Sequence, residues 1–114
     1  MWTEREKYLS SVEEIKTYIE QMDYFHDHRI GNIRYNGTEA TITVEEIVDA
    51  DNNAETAGNI WDFVINGIVK IQMDCDCAFT YFLNEITLEE ELVFNCTNGY
   101  IAINAEMIKL GIPS

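Results

Sequence analysis

Two hydrophobic periods divide the chain. Between Thr3 and Asp23 the apolar residues Tyr8, Leu9, Val12, Ile15, Tyr18, Ile19 and Met22 return every three or four positions. That spacing lines one face of an α-helix and leaves Glu13, Glu14, Lys16, Glu20 and Gln21 on the other, so it predicts a helix over 3–23. Two capping boxes compete for its start, Thr3 with Glu6 and Ser11 with Glu14. Glu13 and Glu14 in a first turn would suit the positive end of the helix dipole, which favours Ser11. One continuous helix satisfies the pattern too.

From residue 25 the period falls to two, which predicts a β meander over 25–110. Asn-Gly, the strongest short hairpin signal, occurs at 36–37, 66–67 and 98–99. Residues facing each other across a turn share a sheet face, so each turn is tested by its register. Centred on Asn36-Gly37, Ile33/Ala40 and Gly31/Ile42 fall on one face and Arg34/Glu39, Asn32/Thr41 and His28/Glu45 on the other. Centred on Asn98-Gly99, Cys96/Ile101, Phe94/Ile103 and Leu92/Ala105 line one face. Both registers sort apolar from polar. They predict two-residue hairpins pairing 30–35 with 38–45 and 92–97 with 100–106. Around Asn66-Gly67 the faces disagree, so Gly67 reads as a bulge or bend between 61–65 and 69–73.

Residues 49–59 are polar and small and read as a surface loop. A strand from Ala78 to Leu88 leads through Glu89, Glu90 and Glu91 into Leu92. The fold class is α+β: an N-terminal helix packed on a curved, mainly antiparallel sheet of about six strands, in one domain spanning 1–114. Val64, Ile68 and Ile86 fall off the inward face. A strongly curved sheet, a half-open barrel or a homodimer face would cover them.

Charge narrows the choice of partner. The net charge is −14, from 21 acids against 7 bases, and it is spread along the chain. Phosphate backbones are bound through clustered Lys and Arg, so direct nucleic-acid binding is not expected. A basic protein is the partner that this charge suits. No apolar run approaches the ~20 residues of a membrane span. The charged, polar start has no signal-peptide core, so a cytoplasmic protein with no membrane attachment is expected.

Candidate chemistry gathers in the segment Phe25–Ile30, which holds both histidines. On a strand, alternation would place His26 and His28 on one face and Asp27 with Arg29 on the other. Asp27 would then pair with Arg29, and His28 would face Glu45. The expected role is to tie the helix exit to the first strand. Asp49-x-Asp51-x-Asn53-x-Glu55 resembles a calcium loop but has Ala54 and Ile60 where that loop needs Gly and Glu, so a solvated loop is expected. Cys75 and Cys77 lack the usual zinc spacing, and with Cys96 they continue apolar faces. They are expected to be buried and reduced. No metal or other cofactor is expected, and phosphate-binding glycine loops and a serine elbow are missing from the sequence.

A helix, then Phe25-His26-Asp27-x-Arg29-Ile30, then an acidic strand meander ending in a strand pair resembles a group of small uncharacterised bacterial proteins. In that group F-H-D-x-R-I introduces the β part. Similar small acidic domains occur among the immunity proteins of bacterial toxin systems. The resemblance implies no activity at particular positions. With the acidity it leads to the expectation of a non-enzymatic domain that binds a basic toxin or other basic protein. The candidate binding residues are His26, Asp27, His28, Arg29, Glu89, Glu90 and Glu91. The alternative is a small-ligand-binding or enzymatic domain, with Trp61, Phe63, Tyr81 and Phe82 around the 26–29 segment.

Overall fold

A computed structural model describes residues 7–49, 55–75, 82–97 and 99–113. The elements run β1 (Lys7–Leu9), α1 (Val12–Gln21), a short 3-10 turn (Asp23–Phe25), β2 (Arg29–Tyr35), β3 (Glu39–Asp49), β4 (Glu55–Cys75), β5 (Leu83–Leu88), β6 (Leu92–Cys96) and β7 (Gly99–Ile112). All pairings are antiparallel, in the order β2-β3-β4-β7-β6-β5, with β1 added to β7. The sheet thus has seven strands where about six were expected.

The helix starts at the later of the two candidate caps. Ser11 has extended φ/ψ of −95° and 138°, and its Oγ accepts from the Glu14 amide at 3.2 Å. Ile15 and Ile19 are buried, and Tyr18 and Met22 pack against the same core. The expected helical residues 3–6 lie outside the described residues. Residues 7–9, also expected to be helical, form a strand instead: Tyr8 faces Gly111 and Leu9 faces Leu110. β6 leaves the edge of β7 after Ile103, and β1 takes up that edge at 110–112, so tertiary pairing overrides the helical period. With α1 beginning at Val12, that residue is 54% exposed rather than in the helix core.

Both hairpins pair the expected strands, but each register is displaced by two. In the first, Ile33 faces Ile42, Arg34 faces Thr41 and Tyr35 faces Ala40. The turn centres on Gly37-Thr38. The Asn36 amide donates to Glu39 O at 3.0 Å, and Asn36 Oδ1 accepts from the Thr38 and Glu39 amides at 3.1 and 2.9 Å. Asn36 acts through its side chain before the turn, and Gly37 supplies the positive φ of 103°. In the second hairpin Cys96 faces Gly99 and Phe94 faces Ile101, and Asn98 is outside the described residues.

β4 has 21 residues, about 65 Å if straight at ~3.3 Å per residue. The molecule's longest axis is 42 Å, so the strand must bend. Gly67, with φ of 65°, and a register shift between Ile68 and Lys70 locate the bend and bear out the bulge reading. Further shifts lie at Gly31 and between Glu45 and Ile47. The sheet curls until its two edges touch at one corner: Arg29 bridges Phe82, and the Leu83 amide donates to His28 O at 2.8 Å. The curvature brings Ile86 fully into the core and Ile68 against it. In β5 the shift between Leu83 and Glu85 resets the alternation, which is why Ile86 turns inward. Among the described residues no helix is long and apolar enough to cross a membrane.

Candidate functional site

The 26–29 segment is a turn and not a continuation of β2. Asp23, Tyr24, Phe25 and Asp27 all have positive φ, at 55°, 58°, 58° and 67°. Such conformations are unusual for bulky residues and persist only where packing imposes them. Here the left-handed turn drives Phe25 into the core at 0% exposure. Its ring meets Trp61, His28 and Phe63 edge-on at centroid distances of 5.2, 5.3 and 6.0 Å. Trp61 Nε1 donates to Tyr18 Oη at 2.8 Å and anchors the helix to the same cluster.

The turn overturns the expected facing of the side chains. His26 is exposed and its Nδ1 lies 3.0 Å from Asn84 O; a carbonyl only accepts, so Nδ1–H donates. His26 Nε2 is 3.5 Å from Asp27 Oδ1, and the Asp27 side chain is 86% exposed. Asp27 therefore lies beside His26 and not Arg29, forming a salt bridge only when the imidazole is protonated, and no hydrogen bond from a half-buried group among the described residues reaches its carboxylate. The Asp27 amide closes the corner by donating to Leu83 O at 3.2 Å. His28 donates Nδ1–H to His26 O at 3.1 Å, and its ring lies against Phe25 and Trp61. That leaves the buried Nε2 with no hydrogen-bond partner among the described residues.

Arg29, not His28, faces Glu45. Its Nε and Nη2 donate to Glu45 Oε1 at 3.2 and 2.9 Å, and the two side chains are only 23% and 20% exposed. The bulge at Gly31 shifts the register that sequence alternation had used. An arginine one residue from the expected partner was the available signal for Glu45. Among the described residues the segment thus brings together a half-buried ion pair, a packed imidazole and an exposed His–Asp contact.

The other candidate residues lie beside α1. Glu89, Glu90 and Glu91 form the β5–β6 turn. Lys16 Nζ, on the helix, sits 3.1 and 2.9 Å from the two Glu89 carboxylate oxygens. That hydrogen bond and charge raise the Lys16 pKa above its ordinary value. Val12, Lys16, Leu88, Val93 and the three glutamates line a hollow of about 590 Å³ between helix and hairpin. The hollows on β2 and β3 are lined by Ile30–Ile33 and by Arg34–Asn36 with Glu39–Thr41, so neither contains His26, His28 or Arg29. Of the aromatic residues in the ligand-site alternative, Trp61 and Phe63 are core, Phe82 is 40% exposed, and Tyr81 lies outside the described residues.

Residues 49 and 55–59, expected to belong to a surface loop, are strand instead: Asp49 ends β3 and faces Glu55, which opens β4, because the β3–β4 ladder continues there, and the intervening 50–54 are outside the described residues. Cys77 is also outside them. Cys96 is free and 5% exposed. Among the described residues no group of three or more His, Cys, Asp or Glu is arranged to hold a metal.

No family model, no curated protein and no solved structure matches the chain.

Burial pushes the Cys96 thiol up to about 11. A thiol that ionises less readily folded than unfolded stays protonated in the native state. Stability is unaffected below the unfolded pKa of about 8.5 and falls as pH rises from there through about 11. Cys96→Ala is expected to lose that part of the alkaline slope in urea titrations at several pH values. At pH 8 the native Cys96 peptide, resolved by mass spectrometry, should alkylate on the order of 100-fold more slowly than in urea.

Proposed function

We propose that the chain is a non-enzymatic cytoplasmic protein-binding domain whose acidic face, beside α1 and the β5–β6 turn, engages a basic protein in the manner of an immunity protein. The observation that carries this reading is a local excess of acids with one paired base, in a chain that is acidic throughout. Residues 10–28 contain five acids and 82–97 contain four, against a single base, Lys16, which is held by Glu89. Arg29, Arg34, Lys70 and Lys109 all lie on β2, β4 and β7. The hollow beside Lys16 adds a shape to the charge: Val12, Leu88 and Val93 offer apolar contact inside a rim of glutamates. Such a face attracts Lys and Arg side chains and repels nucleic acid. His26 and Asp27, exposed at the neighbouring corner, extend it.

Opposite charges at an interface act mainly on the association rate, and salt screens them over ~8–10 Å. With a basic partner captured at low salt, raising the ionic strength to physiological is expected to slow association by ~10-fold or more. Glu89→Gln, Glu90→Gln and Glu91→Gln combined should also slow it while leaving dissociation nearly unchanged. An association rate indifferent to salt and to these substitutions would reduce the acidity to a solubility feature.

A further inference from the structure

The face of the sheet turned away from the core carries a different feature. Arg34 faces Thr41, Thr41 faces Val64, and Val64 faces Lys109, so four residues form one row across β2, β3, β4 and β7. Their strand neighbours Ala40, Ile42, Phe63, Ile65, Ile108 and Leu110 are buried, which sends the row outward. The two ends are three strand spacings apart, ~14 Å between Cα atoms, and the long Arg and Lys side chains can reach inward from both ends. These four residues with Tyr8 and Ser10 line a hollow of about 640 Å³. Among the described residues no carboxylate lines it.

Five bases have described side chains. Lys16 and Arg29 pair with glutamates. Arg34, Lys70 and Lys109 form no ion pair among the described residues, and two of these three share the hollow. Around them stand the hydroxyls of Tyr8, Ser10 and Thr41, each able to donate to an anion. Val64, half-buried in the middle of the row, and the Tyr8 ring, 37% exposed at its edge, offer apolar contact between the charges.

We propose that the row Arg34–Thr41–Val64–Lys109, walled by Tyr8 and Ser10, is a binding site for a small organic anion, a phosphate or carboxylate head on an apolar body. The guanidinium and the ammonium hold the head from opposite sides, and the hydroxyls supply further donors. The body lies on Val64 and against Tyr8. This site is separate from the acidic face and stands or falls without it.

The test is titration of the full chain, followed by backbone amide shifts, with phenyl phosphate, phenylacetate and inorganic phosphate at constant ionic strength. Saturable shifts centred on residues 34, 41, 64 and 109 are expected, with a phenyl-bearing anion binding more tightly than inorganic phosphate. Comparing the two phenyl compounds identifies the preferred head. Arg34→Gln and Lys109→Gln should each weaken binding ~10-fold or more with unchanged thermal stability, as expected for loss of a charge-assisted contact. Lys70→Gln, which removes an unpaired base outside the hollow, should leave binding unchanged. Absence of saturable shifts, or a Lys70→Gln variant weakened as much as the other two, would overturn the proposal.

Discussion

Phe25→Ala is expected to lower folding stability by ~3–5 kcal/mol, the range for emptying a buried aromatic site. The ring is fully buried and touches Tyr18, His28, Trp61 and Phe63. Its loss removes edge-on contacts worth ~0.5–1.5 kcal/mol each beyond the buried area. The backbone adds to the loss. Asp23, Tyr24 and Phe25 have left-handed φ values of 55°, 58° and 58°, and that region disfavours L-residues by ~1–2 kcal/mol each. Burial of Phe25 offsets this penalty. Alanine retains the penalty and removes the offset. A domain of this size has ~5–15 kcal/mol in all, so the variant should populate unfolded chains measurably in the absence of denaturant. Tyr24→Gly is the informative contrast. Tyr24 shares the conformation but is 40% exposed. Glycine there relieves the φ penalty while adding freedom to the unfolded chain, for a net change between zero and ~1 kcal/mol of stabilisation. Urea denaturation measures both. A Phe25→Ala loss no larger than that of an ordinary surface substitution would show that the ring does not hold the turn.

The second large effect is Gly31→Ala, expected to lose ~1–3 kcal/mol through a residue that it does not replace. A Cβ at position 31 would overlap the Glu45 carboxyl group and lie 2.8 Å from its Cγ. Glu45 cannot yield freely, because its Oε1 accepts from Arg29 at 3.2 and 2.9 Å in a half-buried setting. Either the carboxylate swings away from Arg29 or the bulge opens. A double-mutant cycle separates this effect from any intrinsic cost of alanine in the strand. In a Glu45→Ala background the Gly31→Ala penalty should shrink to within ~0.5 kcal/mol, because the obstruction is gone. Additive losses would mean that the bulge requires glycine for another reason.

The same bulge shows why the candidate site was only partly legible. Alternation marks which residues share a face, but a register displaced by two preserves every face. Ile33 with Ala40 and Ile33 with Ile42 sort apolar from polar equally well, so the expected and observed hairpins pass the same test. A displacement of one is different, because it exchanges the faces. Gly31 introduces one, which is how Arg29 takes the place opposite Glu45 that had been expected for His28. In the 26–29 turn there is no alternation to read, and four positive φ values from Asp23 to Asp27 leave no mark in residue type beyond two aspartates. Pairing between Lys16 and Glu89, 73 residues apart, was equally out of reach.

Local patterning in the sequence determined the amphipathic helix and its Ser11 cap, the antiparallel strands from residue 29 onward apart from 55–59, which had the composition of a loop but open β4, the break at Gly67 and the acidity of the whole chain. Each of these depends on neighbours within a few residues or on a sum over all of them. Tertiary structure alone decided that residues 7–9 would leave the helical pattern for the free edge of β7, and that the sheet would curl until Arg29 met Phe82. It alone decided that Phe25 would be driven into the core by a left-handed turn, and that Arg34 and Lys109, 75 residues apart in sequence, would end one row of one sheet. These outcomes depend on pairings between distant segments. There the free energy of burying a ring or completing a ladder exceeds a local preference of one or two kcal/mol, and no local pattern records which distant segment will supply it.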